Sequence, residues 1–194
     1  VRDAKIVCVN QVHGKDIYFV DGREEGILKR DADAIATLKE GYALCIFTAD
    51  CLPVVLLDTS SSLIVIIHCG WRGLKNGIIE NVIGSINGRW KTDLGNFMAF
   101  LGPSIRGCCY EVGDDVYEQF PEGMAKTISF RRDKNRWFFD IALYTETLLR
   151  SYGIISIHDV CLCTSCRNHL FNSRRFHGRQ ALPQINFVIK IKEG

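Results

Sequence analysis

Apolar positions along the chain follow two regimes. Up to residue 68 they come in short aliphatic runs at residues 6–12, 17–20, 32–37, 43–48, 52–57 and 63–68, each of strand length and rich in β-branched residues. The segment Asp58-Thr-Ser-Ser-Ser62 separates the last two runs and reads as a turn. Beyond it the period changes. Ile78, Ile79, Val82, Ile83, Ile86 and Trp90 recur at helical spacing and predict a helix over 75–90. Ile141, Tyr144, Thr145, Leu148, Leu149 and Tyr152 do the same over 140–152, with Asp140 as N-cap and Gly153 as stop. Asp114 is placed to cap a shorter helix to Phe120, ended by Pro121. Residues 97–101, 154–162 and 185–191 predict later strands. Strands in runs, with helices interspersed rather than alternating, predict an α+β fold with a mixed or antiparallel sheet.

Composition narrows the class. The 194 residues are 47% apolar and 24% charged, the balance of an ordinary soluble globule, and the length predicts one domain spanning 1–194. A net charge of +2 gives no reason to expect a nucleic-acid partner, and no apolar run is long enough to span a membrane. Nine cysteines are an odd number in a chain long enough to build a core, which predicts reduced thiols and a cytoplasmic protein.

The chemistry concentrates at strand ends. If residues 52–57 and 63–68 form a hairpin about Ser60, paired positions sum to about 120. That register sets His68 opposite Leu52 and one step from Cys51. His13 lies in Gln11-Val-His-Gly14, where the first strand ends. A His–Cys–His set suits zinc, a borderline-soft ion that accepts imidazole and thiolate and leaves a fourth position open. The alternative is a buried structural cysteine beside a hydrogen-bonded histidine. Arg72, in the turn His68-Cys-Gly-Trp-Arg-Gly73, sits at a helix start and suits an anion, with a simple tight turn as the alternative. Arg174, Arg175 and Arg179 form a second basic cluster, and a solvated face is the commoner meaning of such a run. Cys161, Cys163, Cys166 and His169 are spaced for a structural zinc, but no second Cys-x-x-Cys completes the pattern, and the pair Cys108-Cys109 suggests no chemistry.

These segments together resemble one family, the YfiH/YlmD group of laccase-domain, or multicopper polyphenol oxidase-like, proteins, related to mammalian FAMIN. The resemblance is carried by Asn10-Gln-Val-His-Gly14, Asp31-Ala-Asp-Ala34, residues 48–58 around Ala49-Asp-Cys51, His68-Cys-Gly-Trp-Arg-Gly73, Leu101-Gly-Pro-Ser-Ile105, Cys109-Tyr-Glu-Val112, Asp140-Ile141, Cys163-Thr164, Ser173-Arg-Arg175 and Gly178-Arg179. It implies mixed β-sheet layers flanked by helices, similar to the catalytic domain of cytotoxic necrotizing factor. It implies zinc held by His13, Cys51 and His68. It implies phosphorolysis of adenosine, inosine, guanosine or methylthioadenosine, and deamination of adenosine, with nucleoside and phosphate as partners. Family members usually carry roughly 50 further residues before the Gln-Val-His-Gly motif. The basic motif is shorter than the family's and lacks its acidic residue.

The implied reactions need an anion clamp and a proton relay. Arg72, Arg174, Arg175 and Arg179 are the candidates for phosphate or ribose contacts, and Asp50 and Glu111 for proton transfer. Asp50 adjoins Cys51, and neighbours on a strand point to opposite faces. Earlier family names assert copper-dependent phenol oxidation. A blue-copper site with a trinuclear cluster would need around ten histidines, and the chain has five. Two further alternatives stand. One is a metal-free cysteine hydrolase with Cys51 as nucleophile and His68 as base, which would fit a peptidoglycan-editing role. The other is a non-catalytic binding protein. The sequence assigns no oligomeric state.

Overall fold

The structure is a computed structural model that describes residues 4–191. Its strands are β1 (Lys5–Asn10), β2 (Ile17–Phe19), β3 (Gly26–Asp31), β4 (Ala34–Thr37), β5 (Tyr42–Thr48), β6 (Leu52–Asp58), β7 (Ile64–Cys69), β8 (Phe97–Leu101), β9 (Glu111–Val112), β10 (Phe130–Asp133), β11 (Arg136–Phe139), β12 (Ser156–Asp159) and β13 (Gln184–Lys190). The helices are α1 (Trp71–Lys75), α2 (Ile78–Trp90), α3 (Asp114–Tyr117), α4 (Met124–Ser129), α5 (Ile141–Ser151) and α6 (Arg174–His177). No helix among the described residues is long and apolar enough to cross a membrane.

A six-stranded mixed sheet, in the order β12-β8-β6-β7-β4-β2, forms the middle layer. Side-chain alternation along β7 divides the interior in two. Val65 and Ile67 join one core cluster with Ile79, Val82, Ile83 and Ile86 of α2 and Ile141 and Leu149 of α5. Ile64 and Ile66 join a second cluster with Val7, Val9, Leu44 and Ile46 of a four-stranded sheet, β13-β5-β1-β3. Burial on both faces explains why β7 reads as a continuous aliphatic run. The far face of the four-stranded sheet carries exposed Ile6, Ile27, Ile185 and Phe187. A small antiparallel sheet, β10-β11-β9, stacks Phe130 on Phe139 at 4.2 Å between ring centres and packs beside α5. The α+β class with mixed sheet layers and flanking helices is thus the observed architecture.

The structure corrects several boundaries. The helix expected over 75–90 is α2 and starts at Ile78, because Gly77 at φ 80° separates it from the short helix α1 that precedes it. Asp140 does cap α5, its carboxylate accepting from the Leu143 N–H at 3.1 Å. The strand expected over 154–162 is confined to β12, and the helix expected over 114–120 to α3. β1 stops at Asn10 rather than residue 12, just before the left-handed residue His13. Strand β3, helix α4 and the β10–β11 hairpin lacked a sequence signal. β3 buries only Leu28 in part, so it shows no alternation to read. The β6–β7 register pairs Pro53 with His68 and Leu52 with Cys69, one step from the expected pairing.

The layer assignment makes a test. Ile66→Ala, at a fully buried position, should cost about 2–5 kcal/mol in urea unfolding. Ile6→Ala, at a position 54% exposed, should stay within about 0.5 kcal/mol. Equal losses would contradict the assigned faces.

Candidate metal centre

The chain passes between the two large sheets at three nearby points. The β1–β2 connection carries His13, the β3–β4 connection carries Asp33, and the β5–β6 connection carries Asp50 and Cys51. β7 brings His68 to the same end. The one-residue register shift matters, because directly paired residues share a face. Pairing His68 with Pro53 puts it on the face of Cys51, two residues earlier, whereas pairing with Leu52 would have turned the two apart.

Asp33 organises the cluster. Its fully buried carboxylate accepts the backbone N–H groups of Val12, His13 and Gly14 at 3.2, 3.0 and 2.6 Å. The same carboxylate lies 2.7 Å from His68 Nδ1, and the Asp33 carbonyl accepts the His68 N–H at 2.7 Å. The Nδ1 proton is thereby fixed on the Asp33 side, which leaves Nε2 as the free nitrogen. His13 is held at φ 58°, a conformation stabilised by the N–H groups captured on either side of it.

The ligand atoms of His13, Cys51 and His68 all lie within 4.8 Å of one another. Cys51 Sγ is 3.8 Å from His13 Nε2, and the two imidazole rings meet edge to face at 4.8 Å. Gly70 closes the approach. A Cβ there would lie 2.8 Å from His13 Cδ2 and 3.2 Å from Cys51 Sγ.

The electrostatics favour a thiolate. Burial opposes ionisation of Cys51 most strongly, but hydrogen bonds and charge from His13 and His68 outweigh it and bring the thiol down to about 7. Burial likewise disfavours charge on His68, yet its bonds to Asp33 and Cys51 raise it to about 9. Asp33 is desolvated, but the His68 bond and the backbone N–H groups hold it below the usual carboxylate range. Two imidazoles and one thiolate, converging with one imidazole already oriented, form a donor set suited to a borderline-soft divalent ion.

Two cavities, about 510 and 270 Å³, meet at His13 and Cys51. The smaller is lined by Arg72, Arg174, Arg175 and Tyr110. Arg72 lies over Trp71 at 4.5 Å from its ring centre, and no protein acceptor bonds its guanidinium among the described residues. Arg175 is committed to the Cys109 and Glu111 carbonyls at 3.3 and 2.8 Å, and Arg174 donates to the Arg179 carbonyl at 3.2 Å. Burial pushes the Tyr110 phenol well up, so it stays neutral.

Other predicted residues stand elsewhere. Asp50 borders the smaller cavity, but one carboxylate oxygen accepts from Thr164 Oγ1 at 2.6 Å and the other from the Arg175 N–H at 2.7 Å. Glu111 pairs with Arg136 at 3.0 Å on the surface. Arg179 is exposed and lines neither cavity. Asp33 and Tyr110 carry no individual sequence signal, although both lie in motif segments, Asp31-Ala-Asp-Ala34 and Cys109-Tyr-Glu-Val112. A separate cavity of about 730 Å³ beside α4 and α5 gathers none of this chemistry.

Residues 1–186 match the family model described as multi-copper polyphenol oxidoreductase laccase. The chain belongs to this family. A Xylella fastidiosa (strain Temecula1) protein named purine nucleoside phosphorylase is 37% identical over 175 residues, covering 86% of this chain and 65% of its own length. The Escherichia coli (strain K12) protein named purine nucleoside phosphorylase YfiH is 32% identical over 173 residues, covering 89% of this chain and 69% of its own length. The chain therefore spans just under two thirds of the Xylella relative. The Bacillus licheniformis hypothetical protein YfiH superposes with a TM-score of 0.89 at 26% identity, covering 96% of this chain and 74% of that one. YlmD from Geobacillus stearothermophilus also gives 0.89 at 26% identity, covering 97% and 74%.

The crowding at Gly70 is testable. Gly70→Ala should destabilise the fold by about 1–3 kcal/mol, because the added methyl would crowd both the His13 ring and Cys51 Sγ and force side chains to shift. Gly84→Ala, in α2 with open space around it, should stabilise by roughly 0.5–1 kcal/mol. Matching urea midpoints for the two variants would refute the close approach.

Proposed function

We propose that this chain is a zinc-dependent purine nucleoside phosphorylase that also deaminates adenosine. The observation that carries the reading is the convergence of His13, Cys51 and His68 beside a cavity lined by Arg72, Arg174 and Arg175. The names of the relatives supply the reaction class. Adenosine, inosine, guanosine and methylthioadenosine are the proposed nucleosides.

His13, Cys51 and His68 would hold the zinc through Nε2, Sγ and Nε2. Bound there, the ion supplies Lewis-acid polarisation of a substrate or water oxygen. The remaining roles belong to the protein. In phosphorolysis, phosphate attacks the anomeric carbon as the purine departs, so the site must hold a polyanion beside the ribose. Arg72 is the foremost clamp, because its charge faces the cavity without a protein acceptor and its plane rests on Trp71. Arg174 borders both cavities and can reach the phosphate or the sugar. Arg175 positions the wall through its carbonyl bonds. Tyr110, neutral and cavity-facing, can offer a hydroxyl to the ribose or base. Neither Asp50 nor Glu111 has a carboxylate oxygen free in the cavity, so Asp50 positions the 164 and 175 loops and Glu111 serves the surface. Deamination then relies on proton exchange with solvent through the open mouth of the cavity.

A second reading draws on the lowered Cys51 thiol 3.8 Å from His13. It is a metal-free cysteine hydrolase with Cys51 as nucleophile. Copper oxidation draws only on the family description. Of the chain's five histidines, two reach this cluster.

Two experiments test the proposal. Purified protein should lose about one zinc equivalent per chain in Cys51→Ala and in His68→Ala, and Asp33→Asn should weaken zinc affinity about 10–100-fold in chelator competition. Unchanged zinc in both ligand variants, with alkylation of Cys51 abolishing turnover, would favour the hydrolase. Inosine should release hypoxanthine only with phosphate present. Arg72→Ala should raise the KM for phosphate at least about tenfold while zinc is retained. An unaltered phosphate response would remove Arg72 from the clamp.

A further inference from the structure

We propose a second metal centre, a structural zinc held by Cys108, Cys109, Cys163 and Cys166. It is separate from the His13–Cys51–His68 cluster and does not depend on the function proposed for that cluster. The four sulfurs lie within 4.8 Å of one another, although the two pairs are more than 50 residues apart in sequence. Cys166 Sγ is 3.5 Å from Cys108 Sγ and 3.3 Å from Cys109 Sγ.

These distances discriminate between occupants. Four thiolates at about 2.3 Å from one tetrahedral zinc stand roughly 3.8 Å apart, close to the observed spread. A disulfide would need about 2.05 Å. An iron–sulfur cluster places several irons and bridging sulfides between its thiolates and holds them further apart. Four sulfur donors with no oxygen ligand exclude the hard cations. A complete set of four closes the coordination sphere, which marks a structural site rather than a catalytic one.

The backbone is already arranged for it. Cys163-Thr-Ser-Cys166 is a Cys-x-x-Cys turn, closed by the Arg167 N–H to the Cys163 carbonyl at 2.9 Å. The second pair expected of a four-cysteine site is the adjacent Cys108-Cys109 rather than another Cys-x-x-Cys. Cys161 and His169, included in the run read from sequence, are not in the cluster. The two loops are held together by the Ser104–Cys163 bridge, with Thr164 N–H to the Ser104 carbonyl at 3.0 Å. Arg106, just before the cysteine pair, bonds Asp140 at 3.0 Å and Asp159 at 2.7 Å. Cys108 and Cys166 are exposed, so an ion can enter from solvent. Zinc there would fasten the wall that carries Tyr110 and Arg175 to the loop that holds Asp50 through Thr164.

Full-length chain reconstituted with Zn²⁺ or Co²⁺ tests this. Cys163→Ser and Cys166→Ser should each lose about one zinc equivalent per chain. They should also lose the intense thiolate-to-cobalt charge transfer of a four-sulfur site. The weaker signature of a one-sulfur site should persist in them and vanish instead in Cys51→Ala, so the two centres fail separately. Should the serine variants not fold, alkylation mapping of native protein answers the same question. Zinc should shield Cys108, Cys109, Cys163 and Cys166 together until a strong chelator is added, while exposed Cys161 reacts throughout. Unchanged zinc in the folded variants, free alkylation of Cys108 and Cys166 in zinc-replete protein, or a disulfide joining Cys166 to Cys108 or Cys109 would overturn the proposal.

Discussion

One buried carboxylate sets the geometry at the junction of the two large sheets. Asp33 accepts three consecutive backbone N–H groups, from Val12 to Gly14, and the Nδ1 side of His68. An isolated buried carboxylate would carry a desolvation penalty of several kcal/mol. Four donors convert that penalty into a constraint. The chain after β1 must turn where the carboxylate is, and His68 must point its other nitrogen away from it. His13 and His68 are therefore oriented by a single group, and neither depends on a mobile surface partner. Removing one partner from such an arrangement costs about 3–5 kcal/mol, which is why the local conformation of His13 can be unusual and still be fixed.

The sheets deliver the groups that this carboxylate orients. Each large sheet presents apolar residues to the other, and the connections between them must stay where backbone polar groups can be paired. At one end those connections run side by side, carrying His13, Asp33 and Cys51. Glycine makes the convergence feasible. A side chain at position 70 would press on the His13 ring and on Cys51 Sγ and push both from their present places. Packing, hydrogen bonding and a missing Cβ thus act on the same three side chains.

Much of this was legible in the sequence, and the remainder was illegible for physical reasons. Aliphatic runs marked the strands of the middle sheet because both faces are buried, and Asp140 marked the start of α5 because capping is a local interaction. β3 left no trace because nearly all of it is exposed. The apolar pattern from Ile78 marks the body of α2, but it carries no sign of the separate short helix α1 on the other side of Gly77. His13, Cys51 and His68 were drawn together by strand-end arithmetic and by motif resemblance, but the arithmetic was off by one register step, and that step decides the face. Asp33 is not legible in the sequence because an aspartate between two alanines carries no sign that four donors will converge upon it. The cysteine quartet was half visible for a related reason. A Cys-x-x-Cys turn is local, whereas its partners at 108 and 109 arrive through β8, β12 and the bridge at Ser104.

Asp50 links the two sulfur-bearing clusters mechanically. Its left-handed backbone, φ 90°, is unfavourable for a non-glycine residue by about 1–3 kcal/mol, and so must be held from outside. Three contacts hold it. Thr164 and the Arg175 N–H take the carboxylate oxygens, and the Ile105 N–H takes the carbonyl. Thr164 follows Cys163, and Ile105 precedes the Cys108-Cys109 pair by a few residues, so two of the three groups fixing Asp50 belong to the loops that gather the four thiols. Cys51 is the next residue. A change in how those loops are fastened therefore reaches the thiol of Cys51 through two peptide units and one carboxylate, a short and well-packed path. The side chain adds what a glycine there could not: its two carboxylate oxygens hold the Thr164 loop and the first turn of α6 together, while the backbone carbonyl holds Ile105.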